Sequence, residues 1–341
     1  MSNIQYFVGL DIGSEQFVAA IGTTPWKLLV RATEFANSVD GFQALLNWLN
    51  EHHGESAQTI LCMEATGVYG EALAYFLVAR GYRVAVEPPL KVKRAFAPHG
   101  HKTDAVDSEQ IAEYACRFAD ELTHWQPRSE VLEQIKVLLT TREQITVQRT
   151  AHQNAVHALR RKPVRTPLAE QVHEHVLDQL KAHQKTIDAE IERLIDQEPP
   201  FRQIVGLLLT IPGVGVLLAA HLLVLIYTTA HPLEANRLAA YLGICPYERQ
   251  SGKSVRTTPT SRHFGPGAPR KLLHLAARSV CTHKEQFRQY YQRKVAEGKP
   301  KKVALNNVAN KLLKIVCAVV TTQTPYIANY RSVNPSLLKG S

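Results

Sequence analysis

Hydrophobic and polar positions lay out the first third of the chain as strands and helices in a definite order. Residues 6–11 form a short apolar run that ends in a carboxylate, Asp11, and Gly13-Ser14 follows as a turn signal; residues 16–21 and 27–31 read as two further strands. Between 38 and 50, Val39, Phe42, Leu45, Leu46 and Leu49 recur at three- and four-residue spacing behind Ser38, the pattern of an amphipathic helix with a serine cap. Residues 59–63 predict a fourth strand ending in Glu64. Residues 71–80 predict a helix stopped by Gly81, residues 82–86 a fifth strand, and the stretch from Asp104 onward a helix.

Three strands, helix, strand, helix, strand, helix is the element order of an RNase H-like α/β fold. In that topology the ends of the first and fourth strands lie side by side, and a late helix delivers further carboxylates. Asp11 and Glu64 stand at those two ends. Asp104 and Asp107, three residues apart on a helix, point within about 60° of each other. A helix start also favours acidic residues on its own account, with Asp104 as N-cap and Asp107 and Glu109 near the positive end of the dipole. The two roles are compatible. Asp11, Glu64, Asp104 and Asp107 together offer hard oxygen ligands for one or two Mg²⁺. Two such ions about 4 Å apart stabilise both the attacking and the leaving oxygen of a phosphodiester.

The pattern changes between 128 and 198. Val131, Leu132, Ile135, Leu138, Leu139 and Ile145, then Val156 and Leu159, recur at three and four spacing, and Val172, Val176, Leu180, Ile187, Ile191 and Leu194 do so again beyond Pro163 and Pro167. This predicts a coiled-coil helical hairpin whose apolar stripes pack on each other or on a second subunit, giving a homo-oligomer, dimer or tetramer. His152, His157, His173, His175 and His183 are scattered here without a ligand constellation and read as surface polar residues.

Pro199-Pro200 opens a third, mainly α segment, 199–341. Ile211-Pro212-Gly213-Val214-Gly215 joins two short apolar helices. It resembles a helix-hairpin-helix turn, in which Gly213 and Gly215 free backbone N–H groups to approach a phosphate; a plain tight turn between core helices fits equally. No Asp, Glu, Lys or Arg occurs from 203 to 233, but the Pro-Gly break leaves pieces too short to cross a bilayer about 30 Å thick, so no membrane span is expected.

Charge sharpens this division. The net charge of the chain is +10, yet residues 249–341 carry 18 Lys and Arg against Glu285 and Glu297 alone, so everything before them sums to −6. A basic carboxy-terminal unit behind a mildly acidic one marks a polyanion-binding half, with nucleic acid the usual partner. Lys102, Lys253, Arg256, Arg262, Arg270, Lys271, Lys301 and Lys302 are the candidate phosphate contacts. An apolar fraction of 45% suits an ordinary folded core. The five cysteines are far apart, with no CxxC, which predicts reduced thiols and neither a disulfide framework nor a structural zinc. The amino terminus lacks the pattern of a signal peptide, so a cytoplasmic, nucleoid-associated location is expected.

Leu10-Asp11-Ile12, Met63-Glu64-Ala65-Thr66-Gly67, Lys102-Thr103-Asp104-Ala105-Val106-Asp107, the Pro-Gly-x-Gly turn and Ser251-Gly252-Lys253-Ser254-Val255-Arg256 follow one another over nearly the whole chain. Together they resemble the DEDD transposases of bridge-RNA-guided insertion sequences. The resemblance implies a RuvC-like RNase H domain over 1–127 carrying the four acidic residues, a coiled coil over 128–198, and a transposase domain over 199–341 with a catalytic serine. Carried over, Asp11, Glu64, Asp104 and Asp107 would bind Mg²⁺ and Ser251 would attack the scissile phosphate, with Ser254 as rival nucleophile. A structured bridge RNA pairing with donor and target DNA, and an active site drawn from both domains, are implied by the same resemblance. Two other readings compete. A RuvC-like junction endonuclease would use the carboxylates without Ser251. An actin-like ATPase or kinase would use Leu10-Asp11-Ile12-Gly13-Ser14 as a phosphate loop, but a second phosphate loop and a glycine-rich adenosine site are not found in the sequence.

Overall fold

The computed structural model describes residues 4–65, 67–96, 103–229, 233–251, 255–261 and 265–328, with the backbone alone for 246–251 and 255–260. The chain divides into two compact units, Met1–Arg128 and Ser129–Ser341.

The first unit is built on β1 (Tyr6–Ile12), β2 (Gln16–Thr23), β3 (Lys27–Ala36), α1 (Val39–Glu51), β4 (Thr59–Glu64), α2 (Glu71–Val78), β5 (Arg83–Glu87), α3 (Pro89–Arg94) and α4 (Asp104–Arg117). The sheet order is β3-β2-β1-β4-β5, with the first three strands antiparallel and β4 and β5 parallel to β1. A meander of three strands extended by two parallel ones is the RNase H-like arrangement that the element order predicts. Ser38 caps α1 as expected, its Oγ accepting from Gly41 N at 3.3 Å.

Alternation along the strands separates two cores. Val8, Leu10 and Ile12 of β1 and Leu61 and Met63 of β4 pack with Leu45, Leu49, Leu73 and Leu77 of α1 and α2. Phe7, Ile60, Cys62 and Ala85 pack on the other face with Ile111, Tyr114 and Ala115 of α4. Asp11, two residues beyond Gly9 and four beyond Phe7, is therefore on the α4 face, and so is Glu64, two residues beyond Cys62.

The second unit contains α5 (Glu130–Leu159), α6 (Pro167–Gln197), α7 (Pro199–Leu209), α8 (Val216–Thr228), α9 (Ala235–Tyr241), the hairpin β6 (Pro246–Ser251) and β7 (Val255–Ser261), α10 (Gly267–His283), α11 (Glu285–Ala296) and α12 (Lys301–Thr322). The long helices α5 and α6 pair antiparallel: Arg142 meets Asp188 through Nε–Oδ1 at 2.5 Å and Nη2–Oδ2 at 3.1 Å, Arg149 meets Gln184, and Arg160 meets Glu170 and Glu174. Their apolar ends, Leu132, Ile135 and Leu139 of α5 and Ile191, Leu194 and Ile195 of α6, join the core built by α7 to α12. His152 and His173 correct the expectation of plain surface histidines. They are half-buried and meet Nδ1 to Nδ1 at 2.8 Å across the two helices.

Within the uncharged stretch 203–233, residues 203–209 belong to the 11-residue α7 and residues 216–228 form the 13-residue α8, with the break at Pro212-Gly213. The 22-residue α12 is long and apolar enough to cross a membrane by length and composition. Its apolar residues are nevertheless spent on the core, where Val308, Ala309, Leu312, Leu313 and Val316 are fully buried. All five cysteines are free thiols, Cys62 and Cys317 buried.

Candidate active site

Asp11 follows Leu10, which pairs in register with Met63, and Glu64 follows Met63. The two carboxylates thus leave adjacent parallel strands, about 4.8 Å apart at the backbone, toward the same face. The carboxylates of α4 reach that point because of one small residue. A Cβ built on Gly9 would lie 2.0 Å from Ser108 O and 2.3 Å from Ala112 N, so the backbone of α4 rests directly on β1. Ser108, Ala112 and Ala115, all buried, keep the helix side of that contact equally thin. One turn before Ser108 is Asp104, directly before Ser108 is Asp107, and two residues after Gly9 is Asp11. Close packing at Gly9 brings the start of the helix alongside the end of the strand.

Gly9→Ala tests this geometry. The added methyl meets backbone, which cannot rotate away, so destabilisation of about 3 kcal/mol is expected. Calorimetric unfolding of the variant beside the parent chain checks it.

Thr103, not Asp104, caps α4: its Oγ1 accepts from Val106 N at 3.3 Å, and Asp104 is the first helical residue. The expectation of Asp104 as the cap is corrected, and its carboxylate is exposed. Asp107 is half-buried, as are Asp11 and Glu64. Asp11, Glu64, Asp104 and Asp107 line one cleft of about 610 Å³, together with Ser14, Gln16, Glu34, Lys93 and Gln110. The donors are all hard oxygens, the type a Mg²⁺-sized cation takes. Among the described residues, however, no group of three or more His, Cys, Asp or Glu side chains is gathered closely enough to hold a metal ion. The four carboxylates share a cleft without forming a preassembled coordination sphere.

Two neighbours tune this end of the sheet. Glu87 pairs in register with Glu64 but is 3% exposed and bound to Lys91 Nζ at 3.0 Å; its charge is met inside the fold. The Cys62 thiol is pushed up by burial, then by the charges of Glu87 and Glu64, and stays neutral, so it adds no soft ligand. Lys93 is a cleft residue that the strand-end argument did not reach. It lies on α3, a short helix with no amphipathic repeat long enough to predict, and it is the cleft's one cation among the lining residues described.

The second unit holds the remaining candidates. Ser251 is the last residue of β6, opposite Val255, and Arg256 pairs with Gln250. Lys102, Lys253, Ser254 and Arg262 lie outside the described residues. Gly213, at φ +81°, belongs to a tight turn pressed on α10, where a Cβ would meet Val280 Cγ1 at 2.8 Å. Gly215 heads the 13-residue α8 with open space around it. Arg270 is committed to the fold: its Nε donates to Leu242 O at 2.5 Å and its Nη2 to Gly265 O at 3.1 Å. Lys271 on α10 and Lys301 and Lys302 in the first turn of α12 are exposed.

Comparison with known proteins speaks to both units. The DEDD transposase model of IS110 type matches residues 8–161, and the transposase model of the IS116/IS110/IS902 family matches residues 205–292. The chain belongs to the IS110/IS116/IS902 family of transposases. The first family match spans every residue of the carboxylate cleft, and the second spans the Gly213 turn, Ser251 and α10. Among relatives, the chain is 28% identical to the pilin gene-inverting protein of Moraxella bovis over 94% of its own length and 97% of that protein's. It is 31% identical over 146 residues to the insertion element IS110 uncharacterized 43.6 kDa protein of Streptomyces coelicolor, covering 42% of this chain and 34% of that one. Among solved structures, T. thermophilus RuvC in complex with a Holliday junction substrate aligns over 36% of this chain and 99% of its own, at 15% identity and a TM-score of 0.28, too weak to bear on the fold.

Proposed function

We propose that this IS110-family transposase cuts, exchanges and rejoins DNA strands by metal-assisted phosphoryl transfer through a phosphoserine at Ser251. The observation that carries the metal-assisted part is the convergence of Asp11, Glu64, Asp104 and Asp107, from two strands and a helix, on one cleft. These four residues would hold Mg²⁺, which when bound supplies Lewis-acid stabilisation of the phosphodiester oxygens. The chain's own part is the covalent step: the Ser251 Oγ–P bond forms as the P–O bond to the departing strand breaks, and the hydroxyl proton passes to solvent. The hydroxyl of the incoming strand then displaces Ser251 Oγ, so the ester's energy is kept for rejoining. A relative named for inverting a pilin gene supports an operation that rejoins as well as cuts. RuvC-like architecture, an active site assembled from both units, the coiled-coil role of α5 and α6 in a homo-oligomer, guidance by a bridge RNA and action at the nucleoid extend the same reading.

The test uses DNA carrying the ends of the element that encodes the chain, with RNA copurified from its native locus. Joined recombinants that require Mg²⁺ and vanish with a chelator are expected. Nicked products alone would favour the junction endonuclease. Random cellular RNA in the purified protein would remove the dedicated guide.

A further inference from the structure

Midway along the paired long helices is a second, strongly charged groove of about 640 Å³, lined by Arg142 and Arg149 of α5 and by Asp178, Lys181, Lys185 and Asp188 of α6. Both carboxylates are already engaged, Asp188 by Arg142 in a two-bond fork and Asp178 by Lys181 at 3.0 Å. Among the described residues the other two cations, Arg149 and Lys185, have no acidic partner. Arg149 donates from Nη1 to the neutral Gln184 Oε1 at 2.5 Å, and its Nε, buried from solvent, has no acceptor. Lys185 is exposed and makes no ion pair among the described residues. It stands four residues from Lys181 on the same helical stripe, where like charges oppose helix formation by a few tenths of a kcal/mol. An arginine fork short of acceptors and a lysine short of a counter-charge, at one level of an antiparallel pair, match a small dianion or phosphodiester.

We propose that Arg149 and Lys185 form a phosphate clamp that holds one backbone phosphodiester of the DNA on which the enzyme acts. The inference rests on the proposed DNA chemistry but concerns residues other than the four carboxylates and Ser251. It assigns the helical pair a direct part in holding substrate, beyond spacing or oligomerisation.

The experiment measures binding of the full chain to duplex DNA by fluorescence anisotropy across a salt series. K185Q should weaken binding roughly three- to tenfold at moderate salt and lower the slope of log K against log salt by about one. R149Q should do the same, with R149K recovering most of the affinity. Unchanged unfolding curves for K185Q, whose side chain is exposed, separate the effect from misfolding. Wild-type binding with an unchanged affinity and slope in K185Q and R149Q would overturn the clamp and leave the functional reading standing. Failure of the wild-type chain to bind DNA would overturn both. Inorganic phosphate supplies the last arm: stabilisation of wild type but not of K185Q, with DNA affinity unaltered, would overturn the nucleic-acid assignment in favour of a free anion.

Discussion

Asp11→Ala and Asp104→Ala, each made in the full chain, are expected to lower DNA strand cleavage by roughly 10²- to 10³-fold or more while leaving fold and DNA binding in place. The magnitude is that of removing one group from an electrostatic clamp on a reacting phosphate. Folding should survive in both. Asp104 is exposed, and Thr103 performs the capping, so the variant gives up a dipole interaction of about 0.3–1 kcal/mol. Asp11 is half-buried near the end of β1 and is not one of the apolar residues that build the two cores of this unit. Raising Mg²⁺ should recover part of the activity of Asp104→Ala, since a site short of one ligand binds the ion more weakly. Normal cutting by both variants would dismiss the metal site. Loss of DNA binding along with cleavage would show that the carboxylates shape the substrate path and do more than hold a cation.

The placement of Asp11 and Glu64 was legible in the sequence because it follows from two short-range regularities. A strand alternates its faces with period two, and a parallel pair in this topology ends level, so acidic residues closing the first and fourth strands must be neighbours. The stripe of α4 was legible too, through helical spacing. What brings stripe and strand together was not. Gly9 reads as one more residue in an apolar run, and only the 2.0 Å separation between its would-be Cβ and Ser108 O gives it a purpose. Long-range contacts of this kind leave no periodic trace.

Elsewhere the missing signal was of a different sort. Arg270 looks like any basic residue of a phosphate-binding helix, yet its guanidinium caps carbonyls at Leu242 and Gly265. His152 and His173 are 21 residues apart and meet because α6 folds back along α5. The β6–β7 hairpin had a local mark only in its second strand, where Val255, Thr257, Thr258 and Thr260 are β-formers, while Pro246–Ser251 holds neither Val nor Thr. It also gives Ser251 a definite address, the last residue of β6.

That address frames the remaining large effect. Ser251→Ala should abolish any covalent protein–DNA adduct and reduce recombination roughly 10⁴-fold or more, the scale on which removing a nucleophile acts. Mg²⁺ binding at the carboxylate cleft and DNA affinity should not change, because Ser251 and the four carboxylates belong to different compact units and each keeps its own core. Alanine also fits the last residue of a two-stranded hairpin without disturbing the backbone pairing to Val255. Ser254→Ala is the matched control and should recombine normally. An adduct that survives in Ser251→Ala but disappears in Ser254→Ala would move the nucleophile three residues along the chain. Full recombination by Ser251→Ala would instead eliminate the phosphoserine, and cleavage would then rest on water delivered at the carboxylate cleft. The chemistry at issue is energetic as well as structural: hydrolysis discards the phosphodiester's energy, so an enzyme that rejoins without a nucleotide cofactor has to keep it, either in an ester such as Ser251 Oγ–P or by direct attack of one strand on another.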